Sequence, residues 1–366
     1  MLMASLRRGV RRAPMIVLLM GMLGARANAQ IDPRTALLEQ AGWQGLEAGR
    51  PAQALAAFRE AEKSDPNNAR VQLGAAVALF ALRQDADSRR AVDRALALDP
   101  SLTKARELSG RLLYRAGDLH GAIRVFSGLE ESGAADAAIR ADLDRWRREA
   151  ELSDRMLLDV GSGFTVSFEG PEDSALAAQV LDSLDRALTR VGAVLGVVPL
   201  APIPVMLYTD QQFRDITKAP MWAAGAYDGV IRLPVRGALA DAAELDRVVA
   251  HELTHALVRT LTSRAVPSWL NEGLATALER DGGPPELANV DPMPLASIRR
   301  FDGLTGAAAA RAYTTSALAV QRLLDDAGGV AVANLLRDLG EGVDFETAFT
   351  RRMGRSFADF DASPPR

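Results

Sequence analysis

The sequence predicts an α+β protein with two parts: an N-terminal all-α solenoid, and a second domain with a small mixed sheet and a helical C-terminal lobe. The first part repeats at a fixed interval, since Pro66 and Pro100 lie 34 residues apart. The second part opens with alternating apolar and polar residues at 164–168, a pattern typical of a half-buried strand. Beyond Glu272 the pattern is mainly helical. A sheet followed by helices favours an α+β domain.

Residues 1–29 have the pattern of an export signal. Four arginines among the first 12 residues precede an apolar segment at 15–23, and Ala27-Asn28-Ala29 fits a cleavage site. The apolar segment is too short to span a bilayer. We therefore expect a periplasmic or secreted protein without stable membrane insertion. Both the general secretory route and the twin-arginine route fit this signal.

Composition limits the partners of the mature chain. The signal contains five arginines and no acidic residue, so its removal takes the net charge from −4 to −9. A chain this acidic is not expected to bind nucleic acid or an anionic membrane surface. It has no cysteine, so its domains must depend on their hydrophobic cores even in an oxidising compartment.

Small and aromatic residues recur through residues 30–134 with the same period. Gly42 and Gly110 are separated by 68 residues, twice the interval of 34, and so are Phe58 and Phe126. This pattern resembles the tetratricopeptide (TPR) repeat. It implies three repeats, then a capping helix and linker, at about 35–68, 69–102, 103–134 and 135–157.

The second repeat departs from the pattern. Ala76, Arg83 and Ser88 stand where the other repeats have Gly, Gly and Ala. Two roles stay open for the repeats: a scaffold, or a concave surface that binds a protein or peptide partner.

The pentapeptide His251-Glu252-Leu253-Thr254-His255 is the main candidate for chemistry. Histidines at positions i and i+4 lie on one face of a helix, where both imidazoles can reach one metal ion. Glu252 stands beside the first histidine, close enough to act on a water at that metal. Asp241 and Glu244 have the spacing of a capping box, so the helix is predicted to begin there.

A third ligand is predicted in the segment that follows. Pro267 ends the first helix and opens a second, which carries Trp269-Leu270-Asn271-Glu272-Gly273. A short turn between two helices would aim Glu272 back at the histidines. Three protein ligands with a fourth position open are usual for a catalytic zinc.

The remaining elements of the second domain follow from periodicity. Strands or hairpins are predicted at 164–168, 203–208 and 225–233. Helices are predicted at about 175–195, 311–327, 330–339 and 345–352.

The two motifs together resemble a known group. His-Glu-Leu-Thr-His followed by Pro-x-Trp-Leu-Asn-Glu-Gly-Leu-Ala is similar to the gluzincin zinc metallopeptidases, in particular to the peptidase MA-like domain that often accompanies TPR repeats in bacterial proteins. The resemblance covers about residues 160–355, with its specific motifs at 251–275. It implies a zincin-like metallopeptidase domain over 158–366, whose cleft is bordered by the strand at 225–233.

The resemblance also implies which residues form the active site. Zn²⁺ would be held by His251, His255 and Glu272, with Glu252 as the general base that activates a water for hydrolysis of a peptide or protein substrate. The TPR repeats would recruit a protein or peptide partner. The alternative is a TPR adaptor whose MA-like domain binds metal or peptide with little or no turnover.

The roles of two further residues, Tyr313 and Thr276, stay open. Tyr313 is either a hydroxyl directed at the oxyanion of the reaction or a core aromatic residue. Thr276 stands one turn after Glu272, where thermolysin-like enzymes carry an Asp that orients a zinc-bound histidine. A hydroxyl can accept that N–H bond, although less strongly than a carboxylate.

Overall fold

The structure is a computed structural model that describes residues 33–161, 163–217, 225–236, 241–282, 293–298, 301, 304 and 306–363. The predicted export signal at 1–29 lies outside these residues. The chain divides into two compact units, with the boundary between Ser109 and Gly110.

Helical hairpins build the N-terminal half of the described chain. Their helices are α1 (Pro33–Glu47), α2 (Pro51–Ser64), α3 (Ala69–Ala81), α4 (Asp85–Leu98), α5 (Thr103–Arg115) and α6 (Leu119–Glu131), followed by α7 (Ala137–Ser153). The pairs α1–α2, α3–α4 and α5–α6 match the three predicted repeats. Helix α7 occupies the segment predicted as a capping helix.

Two buried phenylalanines explain the recurring glycines. A Cβ atom on Gly42 of α1 would lie 2.5 Å from the ring of Phe58, and one on Gly74 of α3 would lie 2.2 Å from it. Phe58 of α2 therefore fills the space that the two glycines leave. In the second unit, a Cβ atom on Gly110 would lie 2.5 Å from the Phe126 ring.

The second repeat keeps the same backbone with less suitable residues. Arg83, between α3 and α4, has a φ of +60°, and the equivalent turns have Gly49 at +67° and Gly117 at +83°. A left-handed residue that carries a Cβ costs about 1–2 kcal/mol. Ser88 is buried, and its hydroxyl is satisfied because it donates to the Ala76 carbonyl at 2.8 Å.

The boundary between the compact units differs from the predicted domain boundary. The sequence predicts it between 134 and 158, whereas the second unit begins at Gly110, within α5. Packing is the reason. The buried Trp146 of α7 lies against Tyr114 and Phe126, with ring centroids 4.8 Å and 4.5 Å away. The end of α5 is thus in one unit with α6, α7 and the sheet.

A mixed sheet lies in the second unit. Its described strands are β1 (Leu157–Val160), β2 (Phe164–Phe168), β3 (Ile203–Thr209), β4 (Ala226–Tyr227) and β5 (Ile231–Arg236). Their order is β1-β2-β3-β5-β4, in which β2, β3 and β5 are parallel and each edge strand is antiparallel to its neighbour. The segment predicted at 225–233 is a hairpin of β4 and β5. Strand β1 is not predicted, because its exposed apolar residues do not alternate with polar ones.

Helices pack on both faces of the sheet and continue into a C-terminal lobe. They are α8 (Ser174–Leu195), α9 (Asp210–Thr217), α10 (Ala242–Leu261), α11 (Ser268–Leu278), α12 (Gly306–Glu341), α13 (Phe345–Met353) and α14 (Phe357–Ala362). Residues of α8 and α10 share a core with Val166 and Val205, whereas α9 packs with Tyr208 on the other face. The break between two predicted helices falls at Gly328 of α12, where φ is +79°. No helix in the described part of the chain is long and apolar enough to cross a membrane.

Gly74→Ala should destabilise the first unit by about 1–3 kcal/mol, because the new methyl group overlaps the fully buried Phe58 ring. Gly128→Ala on α6 is the matched control, since its added Cβ would point into open space within the described part of the chain. Replacing this helical glycine should be neutral or stabilising by up to about 1 kcal/mol. Urea unfolding of the full chain measures both variants. Equal free energies of unfolding would contradict the packing assigned to Phe58.

Candidate metal centre

Helix α10 carries the two candidate histidines. Asp241 begins the helix as predicted, and its carboxylate accepts the Ala243 amide at 3.0 Å. Glu244 pairs with Arg247, and this contact takes the place of the predicted capping-box bond. His251 and His255 lie one turn apart with their ring centroids 5.0 Å apart and their planes at 82°. Buried apolar residues of α10 fix the rotation of the helix.

Helix α11 brings Glu272 to the same place. Its Oε2 lies 3.9 Å from Nε2 of His251 and 3.8 Å from Nε2 of His255. One potential ligand atom from each of the three residues lies within 4.8 Å of the others. The structure thus brings together the three residues predicted as ligands.

This donor set fits a zinc ion. Metal–ligand distances of about 2.0–2.1 Å in a tetrahedral site put neighbouring donor atoms about 3.3 Å apart. The His–Glu separations exceed that value by only about half an ångström, which small side-chain rotations can close. Two imidazoles and one carboxylate also form a common protein ligand set for catalytic zinc.

Two contacts fix the position of α11. A Cβ atom on Gly273 would lie 2.5 Å from the carbonyl oxygen of Ser316 on α12, so only glycine allows this approach of the two helices. At the C-terminal end, Nη1 of Arg190 on α8 donates to the Leu278 carbonyl at 2.6 Å. The helix that carries Glu272 is therefore held at its middle and at its C-terminal end by neighbouring elements.

Glu252 is buried beside the three candidate ligands. Its residue is 6% exposed, and burial raises the pKa of its carboxyl to about 7, although His255 acts in the opposite direction. A Cβ atom on Gly225 would lie 2.7 Å from both Cγ and Oε1 of Glu252. The residue that precedes β4 therefore leaves just enough room for this carboxyl.

Glu279 also belongs to the candidate metal centre, although the sequence pattern does not predict it. Its Oε2 lies 3.0 Å from Nδ1 of His251 and 3.1 Å from Nη1 of Arg247, and the residue is 9% exposed. An ionised carboxylate only accepts hydrogen bonds, so this contact places the imidazole proton on Nδ1. The lone pair of Nε2 is then directed towards Glu272 and the metal position. The signal in the sequence is the interval of seven residues from Glu272, which places Glu279 directly after α11, on the side of that helix that carries Glu272.

Thr276 does not take the orienting role considered for it. In the described part of the chain, its buried Oγ1 has no hydrogen-bond partner, and neither has Nδ1 of His255. The contact to the imidazole of His251 comes instead from Glu279, almost one turn further along.

Tyr313 lies on α12, one turn before Ser316, the residue that meets Gly273. Its ring is partly buried against Phe301, with ring centroids 4.6 Å apart. This contact makes the aromatic ring of Tyr313 part of the hydrophobic core. A catalytic role for its hydroxyl stays a prediction.

Comparison with known proteins identifies the N-terminal region. Residues 45–112 match the family described as Tetratricopeptide repeat. The N-terminal region contains TPR repeats. No curated protein matches the chain.

Two solved TPR structures align with this chain. One is the first TPR of Spaghetti (RPAP3) bound to the HSP90 peptide SRMEEVD, with 20% identity, a TM-score of 0.31, and coverage of 32% of this chain and 96% of that chain. The other is the NMR structure of the first TPR domain of the human RPAP3 protein, with the same identity, TM-score and coverage of this chain, and 93% of its own length.

Glu279→Ala should weaken zinc binding about 10–100-fold, because it removes the carboxylate that holds the proton of His251 on Nδ1. Thr276→Ala, on α11 three residues before Glu279, is the matched control. Its hydroxyl has no partner within the described residues, so zinc affinity should stay close to wild type. Competition against a chromophoric chelator measures both affinities. A larger loss in Thr276→Ala than in Glu279→Ala would reverse the assignment.

Proposed function

We propose that this chain is an exported zinc metallopeptidase that hydrolyses peptide bonds, and that its TPR repeats bind a protein or peptide partner. The observation that carries the proposal is the convergence of His251, His255 and Glu272, with Glu252 buried beside them. The similarity of segment 251–275 to gluzincin peptidases of the MA-like group supports the same reaction.

Each residue has a distinct part in the proposed mechanism. His251, His255 and Glu272 would hold the ion, which when bound supplies a Lewis acid and lowers the pKa of a coordinated water. Glu252 is not one of the ligands, so its carboxylate is available to accept a proton and later to pass it to the leaving amine. Glu279 keeps the proton of His251 on Nδ1 and thereby fixes which nitrogen faces the site.

The proposal assigns export and recruitment to two successive segments in the N-terminal part of the chain. TPR repeats are protein-interaction modules, and about three of them suit a peptide segment or a small protein face. The export pattern at 1–29 supports a periplasmic or secreted location, and the acidic mature chain argues against nucleic acid as a partner.

A second candidate function is a TPR adaptor whose C-terminal domain binds metal or peptide with little or no turnover. The observation that favours it is Nδ1 of His255, which is buried and has no hydrogen-bond partner among the described residues. A ligand imidazole without an acceptor is oriented less firmly. Incubation of zinc-loaded protein with a quenched peptide library separates the two: chelator-sensitive cleavage supports the peptidase, and no cleavage supports the adaptor.

His255→Ala should abolish stoichiometric zinc binding, because it leaves only one imidazole and one carboxylate at the site. His120→Ala is the matched control, since His120 is an exposed histidine near Asp154. Metal analysis after dialysis should give about one zinc per chain for the wild type and the control. Full zinc content in His255→Ala would remove this site from consideration.

Glu252→Gln should retain zinc and lose peptide hydrolysis by about 10²–10⁴-fold, because the amide cannot accept the proton while the three ligands are unchanged. Zinc content and initial rates on one fluorogenic peptide are measured on the same preparations. Equal rates for the wild type and the variant would disprove the assigned role of Glu252.

A further inference from the structure

A buried ion pair joins the β4–β5 hairpin to the helices that precede the sheet. Arg232 of β5 is 4% exposed and lies on the face opposite to the apolar core, since its neighbours in the strand point into that core. Its Nη1 lies 2.7 Å from Oε1 of Glu149 on α7 and 2.7 Å from the Tyr208 hydroxyl on β3. Glu149 is 3% exposed and also accepts the Tyr114 hydroxyl at 2.8 Å. Buried charges persist in a fold when they are paired and hydrogen-bonded in this way.

The same arginine holds the turn of the hairpin. Its Nε lies 3.2 Å from both carboxylate oxygens of Asp228, which is in the turn between β4 and β5. The next residue, Gly229, has a φ of +117°, and a Cβ atom there would lie 3.5 Å from the carbonyl oxygen of Arg115 at the end of α5. The turn is therefore held from within the hairpin, and it lies beside the end of α5 in the third repeat.

The opposite end of β4 meets the candidate metal centre. Gly225 precedes β4 directly, and the space beside its Cα is filled by the Glu252 carboxyl group. A small shift of β4 would change the room around that group, because protein interiors are close-packed. The contacts thus run from Glu149 through Arg232 and the hairpin to Glu252.

We propose that Arg232, held by Glu149, is a positioning residue that keeps the β4–β5 hairpin in one fixed position beside Glu252. The third repeat and α7 are then part of the support of the candidate active centre, and not a separable recruitment module. The catalytic consequence rests on the proposed function. The fixed position of the hairpin does not rest on that function, and it can be measured without peptide turnover.

Amide hydrogen exchange of the full chain tests the structural part. Glu149→Gln keeps the side-chain volume and removes the charge that holds Arg232, so exchange at 225–236 should become faster by about tenfold or more. Exchange in α10 and α11 should stay at the wild-type rate. Asp142→Asn is the matched control on the same helix, because Asp142 pairs with Arg111 and Arg145. This control should leave the exchange of 225–236 unchanged.

Asp228→Asn is a milder variant that tests the positioning role of Arg232 if Glu149→Gln does not fold. Its side chain is 44% exposed, so it should leave the fold intact and accelerate exchange in the hairpin alone. Unchanged hairpin exchange in the folded variants would overturn the proposal, and so would an increase spread evenly over the sheet.

Measurements of peptide cleavage separate the positioning role of Arg232 from the proposed peptidase function. Both variants should show a lower kcat/KM at full zinc content, because the ligands are intact and only the border of the site is displaced. No cleavage by the wild type would refute the proposed function, while the exchange result would still decide the role of Arg232. Full zinc content, wild-type kcat/KM and wild-type exchange together would refute the positioning role.

Discussion

The packing of α11 against α12 determines where Glu272 and Glu279 of the candidate metal centre lie. Gly273 allows the helix to approach the Ser316 carbonyl so closely that any side chain would collide. Glu272 directly precedes this contact, and Glu279 caps the C-terminal end of the same helix. The helix and its cap therefore supply both a candidate ligand and the carboxylate that orients His251. A displacement of α11 would move both together, because the surrounding core is close-packed.

The charges at this site favour a cation. Glu252, Glu272 and Glu279 converge on one stretch of α10, where Arg247 pairs with Glu279. Like charges in a partly buried site disfavour one another unless a positive charge lies between them. A divalent ion among the imidazoles and Glu272 would offset this repulsion. This charge balance supports the proposed metal centre.

Local patterns predict those features that depend on neighbours along the chain. The start of α10 at Asp241, the turn before α11 and the three repeat hairpins follow from capping, proline and periodic small residues. Features that depend on distant partners are missed. Arg232 alternates with apolar residues along β5, and nothing in the sequence links it to Glu149 of α7, with which it forms a buried ion pair.

X-ray absorption at the zinc edge, on full-length protein loaded with one equivalent of zinc, tests the proposed centre most directly. The proposed centre predicts four-coordinate zinc, with the scattering of two imidazoles at about 2.0–2.1 Å and of oxygen at about 2.0–2.2 Å. A shell of oxygen ligands without imidazole scattering would contradict the centre formed by His251, His255 and Glu272, and so would a protein that holds no zinc after loading.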